Sequence, residues 1–493
     1  SNQEVAETAA LALGIRGGER ALERLIAILA GDTRSLAERF GVDVGAQIPE
    51  RTRAFAAYGI GLAAAHMTTY DRLVAARALR EALAVPKVRV DVATACIVAL
   101  GSFALEDDGR APPTVGFVPR VLMSRAEQLG FLLERLDDER LPNEARAQVP
   151  LAVARVAAHE NTRNELRERV CRRIVDACDR HSRENAQVRA ACAIALGVLG
   201  DCDADEVDGL VRSTLLNAAQ NDSDLSVRCF ATMALGQVGG RPGNVGDNAI
   251  SVAGDISSYL LGSLSRATSQ LRPWAALGLA CQARASADAH FASRSDEIGA
   301  VLRAALADAK SAVEIGVLGL ALGVARDRNA EGVLRKQLEA TSDISARARL
   351  CLALGMTGAT SATSLITAQL ERSRYQADAL RSAALALGML GDRSVVPTLI
   401  DTMQSTNSLS AQAALASALG RVGDTRAVAP LLALAKDTAR PELARAFAVV
   451  ALGALADARL RPWNVELSTN AFYVAVPVSL AEPLQGTGAL DIL

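Results

Sequence analysis

The chain has 493 residues, half of them hydrophobic, which excludes a disordered polypeptide. Only 3% are aromatic and much of the apolar content is Ala and Leu, a composition that suits helices in close approach and suits a β-sheet poorly. The formal net charge of −2, from 53 basic and 55 acidic residues, provides no global basic field for nucleic acid or an anionic membrane. No apolar run approaches the ~18 residues of a membrane-spanning helix.

The sequence opens with Ser1-Asn2-Gln3-Glu4-Val5 and an apolar stretch to Leu13-Gly14. Asn2 suits a helix N-cap and Glu4 suits the positive helix end. This segment reads as the second helix of a pair without its first. That predicts a natural protein continuing upstream, with the present chain a fragment of it. Further on, Gly59-Ile60-Gly61-Leu62-Ala63-Ala64 fits the GxGxxA dinucleotide fingerprint. The fingerprint needs a preceding strand, and here it falls inside a helical segment, so helix packing is the expectation. Long loops are predicted at Glu106–Pro119, Gly239–Asp255 and Ala283–Asp296. Such insertions lie on the edge of an array, as binding surface or as plain decoration.

The main signal is a repeat. Ala353-Leu354-Gly355, Ala386-Leu387-Gly388, Ala418-Leu419-Gly420 and Ala451-Leu452-Gly453 place their glycines 33, 32 and 33 residues apart. Upstream counterparts are Gly14, Gly59, Gly101, Gly197, Gly236, Gly278 and Gly323, with a degenerate copy around Val149–Ala158. About twelve units result, and a period in this range marks a solenoid. Each clear unit has two helical segments. Ser394–Met403 has helical spacing with Pro397 in its first turn. Ala411–Leu419 is small and apolar nearly all round, so neighbouring repeats must cover it. The recurrent glycine is explained by close backbone approach and helix termination. The fold predicted is all-α: an α/α superhelix over residues 1–461, most regular over 311–461. A short non-repeat segment, 462–493, with the extended-looking run Phe472–Pro477, caps the last pair or serves as a partner-binding or sorting tail.

The run Leu419-Gly420-Arg421-Val422-Gly423-Asp424-Thr425-Arg426-Ala427-Val428-Ala429-Pro430-Leu431-Leu432, with a second copy from Leu387 to Leu399, resembles the HEAT-like repeats of phycobilin lyases. The resemblance extends to about Leu460 and is strongest from Gly323 to Gly453. It implies stacked helix pairs that bind protein, and no single activity.

Signs of chemistry are sparse. His66, His159, His181 and His290 are scattered and read as surface or packing residues. HEAT-like deoxyhypusine hydroxylases build a di-iron site from several His-Glu pairs. This sequence has only His159-Glu160, so the site does not carry over. There is no HExxH, GxSxG or GxxxxGK[ST] motif, and neither a cofactor nor a metal is expected. The eight cysteines form no close pair and mostly occupy apolar helical positions; they favour a cytoplasmic, reducing location while leaving export open.

The most regular polar feature is an arginine eight residues before the repeat glycine: Arg189, Arg228, Arg347 and Arg445, with Arg381 at a neighbouring position. Acidic residues precede it, namely Asp222, Asp224, Asp343, Asp378 and Asp437. One reading is an Asp–Arg ladder that caps helices and ties repeats together. The other is an inner-face stripe that recognises an acidic partner, and both can hold at once. The function predicted is a non-catalytic, monomeric scaffold that binds a protein on its concave face and edge loops. A lyase- or chaperone-like role on a protein-bound cofactor is the alternative. Nucleic-acid binding, as in HEAT-like alkylpurine DNA glycosylases, fits less well with neutral charge and only Trp274 and Trp463.

Overall fold

The structure, a computed structural model, describes residues 3–41, 47–107, 122–159, 162–243, 248–268, 270–290, 294–406 and 408–456. All regular structure among them is helical. They form two compact units, one ending at Val238 and the other starting at Gly239. Both are built from stacked helix pairs.

Second helices of the pairs are the small-residue segments anticipated from the Ala-Leu-Gly repeat. In the first unit they are Gln3–Arg16, Glu50–Leu62, Val90–Leu100, Val149–Ala157, Ala186–Leu199 and Leu225–Gly239, the last of which reaches the unit boundary. In the second they are Arg272–Asp288, Ala312–Val324, Ile344–Thr357, Ala377–Leu390, Leu409–Val422 and Glu442–Ala456. Twelve such helices are described, in agreement with about twelve repeat units. Many are buried over most of their circumference: in Ala312–Val324 every residue from Ile315 to Val324 is buried.

The repeat glycines explain the close stacking. A Cβ added at Gly323 would lie 2.8 Å from the Cα of Ala353, at Gly355 2.8 Å from that of Ala386, and at Gly388 3.1 Å from that of Ala418. In each case the residue met is the Ala of the next repeat's Ala-Leu-Gly. The same register in the first unit pairs Gly61 with Ala99 at 3.1 Å and Gly101 with Ala152 at 2.6 Å. Gly61 is therefore the repeat glycine, while Gly59 takes the Ala position and meets Gly14. Ala152-Val153-Ala154 is the degenerate copy, with Ala154 in place of glycine. The GxGxxA string serves helix packing, as anticipated.

Helix termination belongs to a different glycine. Gly420 lies inside Leu409–Val422, and Gly423, at φ 68°, ends that helix in the left-handed conformation that glycine adopts without strain. The Asp424 carboxylate then accepts the Arg426 N–H at 2.8 Å and starts a short 3-10 turn that leads into Val428–Lys436. Gly391-Asp392 repeats the device, with φ 66° and a 2.8 Å bond from the Ser394 N–H. This 3-10 turn shifts the first helix to Val396–Ser405, two residues later than its apolar spacing predicts.

Two predicted loops are shorter than expected. Helix Arg272–Asp288 runs on through Ala283, because Ala-rich sequence favours helix and Arg284 pairs with Asp288 one turn later at 2.8 Å. Helix Ala249–Arg266 likewise takes in the end of the loop anticipated over Gly239–Asp255. Residues 108–121 of the other loop, and the anticipated tail 462–493, lie outside the described residues.

Candidate interaction surface

The arginines at the repeat register lie close to first-helix ends. The last carbonyls of a helix lack intrahelical donors and carry the negative end of its dipole, so a cation bonded there satisfies both. Arg228 Nε donates to the Ala219 carbonyl at 3.4 Å, and Arg445 Nε to that of Ala435 at 3.0 Å. Both acceptors lie in the last turn of the preceding helix, Glu206–Asn221 and Val428–Lys436 respectively. Three further arginines do the same: Arg53 to Leu29 at 2.8 Å, Arg146 to Leu136 at 2.8 Å and Arg272 to Leu264 at 3.0 Å. The sequence does not mark Arg53 and Arg146 as ladder members, because Gly59 competes with Gly61 for the repeat position and Ala154 is not glycine. With the register set by packing, each lies eight residues before its repeat position.

Arg189 makes an Asp–Arg rung between repeats. Its Nε and one terminal nitrogen each donate to an Asp222 oxygen at 3.0 Å, and the other nitrogen donates to the Glu184 carbonyl at 2.8 Å. The Asp222 hydrogen bonds raise the guanidinium pKa above its ordinary value. Arg347 donates to the buried Gln369 side chain of the next first helix. Arg381 is exposed on Ala377–Leu390. Arg189 and Arg228 belong to the first unit, and Arg347, Arg381 and Arg445 to the second. Asp224 and Asp343 cap their own helices through backbone bonds of 2.8 Å. The side chain of Asp378 lies outside the described residues.

In the first unit an open groove of ≈ 740 Å³ crosses three successive repeats. Phe55 and Tyr58 from Glu50–Leu62 line it, with Val90 and Asp91 at the start of the next second helix and Pro142 and Glu144 from the third repeat. The two rings meet edge to face, centroids 6.3 Å apart. Arg51 lies 5.8 Å from the Phe55 ring centre and 3.3 Å from the carboxylate of Glu7, which is 4% exposed. Asp91 and Glu144 are exposed, without a hydrogen bond or ion pair among the described residues. Burial, with the Asp91 charge as a second cause, pushes the Tyr58 phenol up to about 12.

Other titratable groups serve the frame. Asp208, 1% exposed, accepts the Asp201 N–H at 3.0 Å and lies 3.6 Å from Arg167. Burial, then the neighbouring Asp201 charge, raises its carboxyl to about 6. His159 Nδ1 is 3.4 Å from Arg125, and the ring of His66 packs over Gly17. Seven cysteines are buried and Cys281 is half-buried, all as free thiols. Among the described residues, no three His, Cys, Asp or Glu side chains are grouped so as to hold a metal ion, and no helix is long and apolar enough to cross a membrane.

The fold defines a repeat protein of stacked helix pairs. Residues 373–453 match the model of HEAT repeats, so this part of the chain carries HEAT-like repeats. No curated protein matches its sequence. Among solved structures it is similar to an engineered protein, 17% identical, with a TM-score of 0.32 over 88% of this chain and 99% of that one. It is also similar to human deoxyhypusine hydroxylase in complex with glycerol, 18% identical, with a TM-score of 0.25 over 59% of this chain and 98% of that one. At these scores neither carries any residue of a site across.

Proposed function

We propose that the chain is a non-catalytic scaffold that binds a partner protein on the face formed by its second helices and on its edge loops. The observation that supports this reading most is the groove shared by three successive repeats, because a surface contributed residue by residue from stacked units suits an extended polypeptide. Within this reading residues 1–461 form the repeat array and 462–493 a separate tail. Arg189, Arg228, Arg347, Arg381 and Arg445 serve mainly to hold the frame, and donors left over on the exposed members can meet acidic groups of the partner. The protein acts as a monomer.

The test is capture from native extract on the immobilised chain, followed by chemical cross-linking of whatever is retained. A retained protein cross-linked to the second helices or edge loops supports the reading. Retention no better than on an unrelated helical repeat of equal charge sinks it.

A further inference from the structure

We infer that the groove between Phe55, Tyr58, Asp91 and Glu144 takes a lysine or arginine side chain, flanked by apolar residues, from a segment of the partner protein. This rests on the scaffold reading and specifies the chemistry of the partner.

The charge balance of the groove sets the sign. The one cation in its lining, Arg51, is paired at 3.3 Å with the buried carboxylate of Glu7. Asp91 and Glu144 have no such counter-ion among the described residues, and both are exposed at the groove. A partner carboxylate or phosphate would face two negative charges that have no ion-pair partner among the described residues, whereas a cation would complement them. The lining sets the rest of the chemistry. Phe55 and Tyr58 line the groove in a chain with few aromatics, and Arg51, 5.8 Å from the Phe55 ring centre, already shows a cation held against one of these rings. A guanidinium or ammonium is attracted to such a face, and its methylene stem is covered by the same rings. Tyr58 and Asp91 line the same groove, so the ring and the carboxylate face a common space. Val90 and Pro142 add apolar lining against which neighbours of the cation can pack.

The experiment uses the full chain and two fluorescent synthetic peptides, one of alternating Leu and Lys blocks and one with Glu in place of every Lys. Binding is followed by anisotropy at two salt concentrations, for the wild type and for the Asp91→Asn/Glu144→Gln double variant. Both substitutions are on exposed, near-isosteric side chains, and circular dichroism checks that the helices persist. The inference requires the Lys peptide to bind, to weaken with salt, and to lose about tenfold in affinity in the variant, while the Glu peptide stays unbound. Failure of the Lys peptide to bind, or equal binding to the variant, overturns it. If the variant still retains a cross-linked partner as well as the wild type does, the scaffold reading survives and this inference alone falls.

Discussion

Arg189 and Asp222 belong to successive repeats and face each other through two hydrogen bonds of 3.0 Å, with the Asp222 side chain wholly buried. The fork of a guanidinium matches the two oxygens of a carboxylate, so this contact fixes both separation and orientation of the repeats. Removing one partner leaves a buried charge without its counterpart. Arg189→Met is expected to lower stability by about 3–5 kcal/mol, read by chemical denaturation. A loss below ~1 kcal/mol would show that solvent reaches Asp222 in solution.

The glycine ladder gives a comparison of like with like. A Cβ at Gly355 would lie 2.8 Å from the Ala386 Cα, whereas at Gly453 it would meet no described atom within 4 Å. Gly355→Ala should destabilise by about 1–3 kcal/mol through overpacking. Gly453→Ala, in the same sequence motif, should be neutral or gain up to ~1 kcal/mol from helix propensity. Equal effects at the two positions would contradict the packing account.

Asp208 introduces a pH dependence of definite sign. Its carboxyl titrates near 3.8 when unfolded and at about 6 when folded. The folded state therefore holds the proton more tightly, and the stability this provides is present below pH 3.8 and lost as pH rises through about 6. Asp208→Asn keeps an oxygen for the Asp201 N–H and removes the charge. The variant should gain on the wild type as pH rises from 4 to 7, by at most ~3 kcal/mol, in thermal unfolding measured at each pH. A difference independent of pH would remove Asp208 from the account.

Arg146 joins a helix end to a carboxylate, donating to the Leu136 carbonyl at 2.8 Å and approaching Glu184 at 2.6 Å. Lysine keeps the charge and cannot serve both acceptors in that geometry. Arg146→Lys is expected to cost about 1–3 kcal/mol, most of what Arg146→Met costs, in the same denaturation assay.

Burial pushes the thiols of Cys96, Cys178 and Cys351 up to about 12 and that of Cys281 up to about 11. Because the thiolate is the reactive form, the native protein should resist a thiol reagent at pH 8 and release all eight groups only in denaturant. Half-exposed Cys281 should be the first to react. Fast labelling of several cysteines without denaturant would mean that the helix stacks open readily.

The sequence by itself determined the helical class, the pairing of helices and the number of second helices, because a small-residue helix repeated every 32 or 33 residues has no way to bury its surface except against its neighbours. It also determined that arginine matters at a fixed place before the repeat glycine. What the arginine does was decided by tertiary structure. The acceptors of Arg53, Arg146, Arg228 and Arg445 are main-chain carbonyls at helix ends, which have no residue-type signal. At Arg189 the acceptors include an aspartate that the sequence offered. The register Gly61–Ala99 and the copy at Ala152–Ala154 were likewise out of reach, since several small residues fit the spacing and only backbone approach selects among them. The groove was invisible for the same reason: Phe55, Asp91 and Glu144 lie far apart along the chain, in three repeats, and become neighbours only when the repeats stack.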